Sequence, residues 1–107
     1  MSSQDAAEQI RDEIGRQAVW QAVYRSTDNQ GMEQEAAGRV QGLALALAFL
    51  TGEGGDTGTP LMRAAYDDVR ERSLRSASKW AREGNHEREH RALAAADAAQ
   101  ELADLHR

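Results

Sequence analysis

Val40-Gln41-Gly42-Leu43-Ala44-Leu45-Ala46-Leu47-Ala48-Phe49-Leu50 is the long apolar run of this chain, and its reading decides the fold. Its spacing predicts the second half of a helix over residues 32–51. At about 100° per residue, Val40, Leu43, Ala44, Leu47 and Leu50 share one stripe. Met32 and Ala36 extend that stripe backwards, and it is the expected core face. Leu45 and Phe49 fall on the opposite side, in line with Gly38 and Gly42. Beyond Gly42 the helix is thus apolar all round, which predicts burial on both sides. The run is too short to cross a bilayer, which takes about 20 apolar residues, so no membrane partner is expected.

Gly38, Gly42 and Ala46 stand at i, i+4 and i+8, a ridge of small residues that permits close approach of another backbone. Two occupants fit it: a second helix of the same chain, or a partner chain. The other helices offer mostly alanine, so a second copy of this helix is the simplest cover. A two-fold contact would pair Gly42 near Gly42 and set Phe49 against the partner.

Composition sets the limits around this helix. The chain has 107 residues, room for one domain, and no cysteine, hence neither disulfides nor thiolate chemistry. Its N-terminus shows no basic segment leading into an apolar one, so a cytoplasmic location is expected. A net charge of −5 argues against a general nucleic-acid binder and leaves room for a local basic patch. Leu, Ile, Val and Phe total only 16 residues. The expected core is therefore thin and alanine-rich, and a thin core in a small domain gains from self-association.

Three further helices surround the run. The first is expected over 5–26, capped by Asp5 with Glu8 three residues on. Ile10, Ile14, Gln17, Ala18 and Gln21 face one side, Trp20 and Tyr24 lie at its edge, and Val19 and Val23 lie opposite. Residues 26–31 read as a turn. The stretch 52–59 is glycine-rich and reads as a flexible linker: it lacks the lysine of a phosphate loop and the carboxylates of a calcium loop. Thr59 as cap and Pro60 at the first helical position start the third helix, over 60–83. Met62, Tyr66, Val69, Ser73, Ala77 and Trp80 form its inward stripe. Gly84 and Asn85 then break the chain and cap a fourth helix over 86–105. Ala94, Ala95, Ala98, Leu102 and Leu105 make its shallow apolar face, with His86, His90, Asp97, Glu101 and Asp104 on the other side. The string Ala81–Ala92 resembles the tight turn of a tetratricopeptide-type helical hairpin. No second copy follows at that family's period, so the resemblance implies only a sharp reversal there. The expected fold is all-α: one antiparallel four-helix bundle made of two hairpins.

Two patterns bear on chemistry. His86-Glu87-Arg88-Glu89-His90 matches HExxH, the zinc motif of metalloproteases, and Glu87 with His90 matches the ExxH of di-iron bundles. The intervening residues are charged, however, and the motif starts at a helix cap. Asp97 lies about 10 Å further along the axis, out of reach as a third ligand. No metal, no cofactor and no enzymatic activity are expected. The other pattern is a basic stripe on helix three: Arg72, Arg75, Lys79 and Arg82. Residues 70–91 carry seven bases against four acids, a stripe able to line phosphates or meet an acidic partner. The leading expectation is a non-enzymatic interaction or regulatory module, self-associating as a homodimer through Gly38, Gly42, Leu45 and Phe49. A nucleic-acid-binding regulator using the basic stripe is the alternative, and a metal-dependent protein a distant one.

Overall fold

Four helices follow one another in this computed structural model, which describes residues 3–52 and 59–106: α1 Ser3–Ser26, α2 Gln30–Thr51, α3 Thr59–Arg82 and α4 His86–Asp104. The expected all-α bundle of two hairpins is the observed one. The linker expected at 52–59 lies outside the described residues except at its ends, as does the capping side chain of Thr59. The helix starts differ by up to two residues from the sequence-based bounds. Asp5, for instance, sits in the first turn of α1 and does not precede it.

Both hairpins turn on the same device. At the end of α3, Gly84 takes a left-handed φ of 74°. Gly84 N–H donates to Ala81 O at 3.2 Å and Asn85 N–H to Trp80 O at 2.9 Å, the paired bonds of a Schellman end. Asn85 Oδ1 then accepts from Arg88 N–H at 3.2 Å and caps α4. The end of α1 repeats this step for step. Asp28 holds the left-handed position at φ 60°, its N–H bonds to Arg25 O at 3.2 Å, and Asn29 N–H bonds to Tyr24 O at 2.8 Å. Asn29 Oδ1 accepts from Met32 N–H at 3.3 Å. This is why α2 starts at Gln30, two residues before the expected Met32. Residues 26–31 read as a turn by composition, and an aspartate in a glycine conformation hides where within them the turn ends and the next helix begins.

α1 runs through the middle of the bundle, against each of the other three helices. Its inner positions are small: Ala7, Ala18 and Ala22 are buried beside Ile14. Small side chains let several neighbours approach one helix, which accounts for the alanine-rich core. From α2 come Val40, Ala44 and Leu47; from α3 come Met62, Tyr66 and Val69. α4 supplies Ala98, Ala99, Leu102 and Ala103. That arc is wider than the expected one. Ala94 is exposed, Leu105 lies beyond the helix end in solvent, and Ala96, Ala99 and Ala103 are buried instead. α4 packs on both α3 and α1, and a run of alanines carries no periodicity to show which ones face inward.

Polar groups tie one end together. Tyr66, fully buried, donates its hydroxyl to Gln21. Burial pushes the Tyr66 phenol up to about 12. Arg25 bridges three helices: Nη1 meets Glu33 of α2 at 2.8 Å and Nε meets Glu101 of α4 at 2.9 Å. Those carboxylates, Glu101 first, raise the guanidinium further above its usual value. His106 stacks on Tyr66 at 5.7 Å, and partial burial lowers its pKa.

Candidate interaction site

α2 is the edge helix. It lies along α1, touches α3 lightly, and brings no Cα within 8 Å of α4. A helix so placed is covered on one face only. Ala36, Val40, Ala44, Leu47 and Ala48 fill that face. Leu50, expected with them, is instead 41% exposed, on a helix that has α1 along it, α3 only lightly against it and α4 out of reach.

The opposite face is open. Phe49 is 90% exposed and Leu45 40%. A methyl group placed on Gly38 or Gly42 would meet no neighbouring atom within 4 Å. The expectation that this side is also buried fails within the chain. Among the described residues no other helix covers the small-residue ridge, and Gly38, Gly42, Leu45 and Phe49 are brought together on one accessible strip. From Val40 to Gly52 the strip carries no charge. Its helical part, Val40–Thr51, spans about 18 Å. Exposed contiguous apolar surface of this kind is a mark of an interaction site, whereas single exposed apolar residues are ordinary.

The basic stripe of α3 is accessible along its length. Arg72 is spoken for: Asp68 Oδ2 lies 2.8 Å from its Nη2. The Lys79 ammonium sits 5.0 Å from the Trp80 ring centroid, and the Arg88 guanidinium from α4 lies 4.6 Å from the same ring. The stripe is therefore broken by a carboxylate at one end and gathered onto an indole at the other. Arg75 and Arg82 make no ion pair among the described residues.

His86 and His90 both point into solvent. Glu89, not Glu87, approaches His86, with Oε1 3.3 Å from Nδ1. Glu87 is held by Arg91 at 2.9 Å. Among the described residues no three His, Asp or Glu side chains come together as a metal site. No described helix is long and apolar enough to cross a membrane.

Two concavities escaped the sequence reading. One, about 380 Å³, lies between α1 and α3. Ile14, Leu47, Leu61 and Ala65 line it, with both arginines and aspartates at its rim. The other, about 530 Å³, involves α1, α3 and α4. Val19, which lines both, was the available signal: a valine opposite the core face of its own helix.

No family model matches the chain, and neither a curated protein nor a solved structure matches it.

Proposed function

We propose that this protein is a non-enzymatic interaction module that self-associates through the outer face of α2. The observation that carries the reading is the exposure of Phe49, 90%, on a strip with no charge from Val40 to Gly52. An uncharged strip does not repel its own copy, and Gly38 and Gly42 leave open space into which a second backbone fits. The contact is isologous: the same strip from two subunits crosses near Gly42, and each Phe49 packs on the partner. Such a contact adds apolar burial that a core of alanines lacks.

Gly42→Leu separates assembly from folding. In the subunit the new side chain meets open space, and replacing a mid-helix glycine gains about 0.5–1 kcal/mol of helix propensity. In dilute solution the variant melts at or above the wild-type temperature. In concentrated solution it associates at least about tenfold more weakly, because the bulk blocks the crossing. A variant that associates like wild type would contradict the proposal.

A second reading, nucleic-acid binding by α3, rests on Arg75 and Arg82, exposed and without carboxylate partners among the described residues. It ranks below the first because Asp68 already engages Arg72. Its test is retention on DNA or RNA at low salt, lost with Arg75→Glu and Lys79→Glu together and falling steeply with added salt. No retention at low salt ends it.

A further inference from the structure

The groove of about 530 Å³ is lined by apolar side chains, serines, an indole and arginines. α3 lends it Val69, Ser73, Ser76 and Trp80, positions that recur every three or four residues. α4 faces them with Arg88, Arg91, Ala92 and Ala95, again one helical stripe. Val19 and Val23 of α1 complete the apolar part. Arg72 stands with them, and no carboxylate is among the lining side chains although the chain as a whole is acidic. The volume falls in the range of small-molecule sites, about 300–1,000 Å³, and such sites combine apolar walls with a few polar groups.

The three arginines differ in what they can still bind. Arg72 and Arg91 each hold a carboxylate of their own helix, Asp68 at 2.8 Å and Glu87 at 2.9 Å. Arg88 has no ion pair among the described residues and stacks its guanidinium 4.6 Å from the Trp80 centroid. A guanidinium that lies over an indole and holds no carboxylate of its own among the described residues keeps its planar fork for bidentate capture of a carboxylate. Two of the three positive charges are already compensated, which suits a singly charged head group.

We propose that this groove binds a small amphiphilic carboxylate. The head group pairs with Arg88 beside Trp80, and an aliphatic chain lies over Val19, Val23 and Val69. The site is separate from the outer face of α2 and does not depend on self-association.

Octanoate is the probe, with acetate as the head group alone and octyl glucoside as an uncharged amphiphile. Titration of the full chain carrying Trp20→Phe follows Trp80 fluorescence, so the signal comes from the groove. Octanoate shifts the emission saturably and binds at least about tenfold tighter than either comparator. Arg88→Ala weakens it about tenfold or more, while Arg75→Ala, outside the groove, and Phe49→Glu, on α2, leave it unchanged. Circular dichroism confirms that the exposed Arg88 substitution keeps the fold. Equal binding of octyl glucoside, equal behaviour of the Arg88 and Arg75 variants, loss of binding in Phe49→Glu, or no saturable response overturns the proposal.

Discussion

Leu47 and Phe49 stand two residues apart in one apolar run, yet the structure gives them opposite energetic roles. Leu47 is 1% exposed and packs in the central cluster; Phe49 is 90% exposed. Truncating a buried leucine forfeits its transfer free energy and leaves a cavity, together about 3 kcal/mol. A domain of this size has only about 5–15 kcal/mol to lose. At about 4–8 °C per kcal/mol, Leu47→Ala should melt roughly 12–24 °C below wild type. Phe49→Ala removes a larger side chain but one that touches little in its own subunit. Its cost should stay within about 0.5 kcal/mol, as for other surface changes. Urea unfolding followed by far-UV circular dichroism, on protein dilute enough to be monomeric, measures both. A Phe49→Ala loss of about 2 kcal/mol or more, or equal losses for the two, would show that the outer face of α2 is packed within the subunit and refute the reasoning.

Other consequences follow from the turns and the buried polar groups. Asp28→Gly should stabilise the fold by about 1 kcal/mol in a urea titration, because it relieves a left-handed aspartate; Gly84→Ala, at the equivalent place in the other hairpin, should destabilise it comparably. Tyr66 favours its neutral form when folded, so its stabilisation is complete below pH 10 and is lost as pH rises toward about 12. Stability should fall there at about 1.4 kcal/mol per pH unit from this group, a slope absent in Tyr66→Phe. Arg25→Met breaks the contacts to both Glu33 and Glu101; a loss of about 1 kcal/mol, smaller in high salt, is the expected result for pairs this near the surface.

The helices themselves were legible because their signals are local. Asn85 and Gly84 mark a cap and a stop by residue type, and Val40, Ala44 and Leu47 mark a stripe by spacing. What stayed hidden depended on long-range placement or on residues with ambiguous chemistry. Asp28 performs at the first hairpin what Gly84 performs at the second, but aspartate is common in many turns and does not announce a left-handed backbone. The alanines of α4 are interchangeable in hydropathy, so only its contacts with both α3 and α1 decide which are inside. Leu50 and Leu47 belong to the same stripe in sequence. They part company because α2 is at the edge, and nothing local says which helix of a bundle is central. The candidate strip of Gly38, Gly42, Leu45 and Phe49 was legible as a second face for the same periodic reason. That none of the other described helices covers it is a property of the packing.

The molar mass of the wild-type chain by light scattering, measured across concentration beside Phe49→Glu, tests self-association most directly. Wild type should climb from 11.7 kDa toward twice that value as concentration rises, while Phe49→Glu stays at 11.7 kDa with its helical spectrum intact. A wild type that remains at 11.7 kDa up to millimolar concentration, or a Phe49→Glu variant that climbs alongside it, would contradict the account.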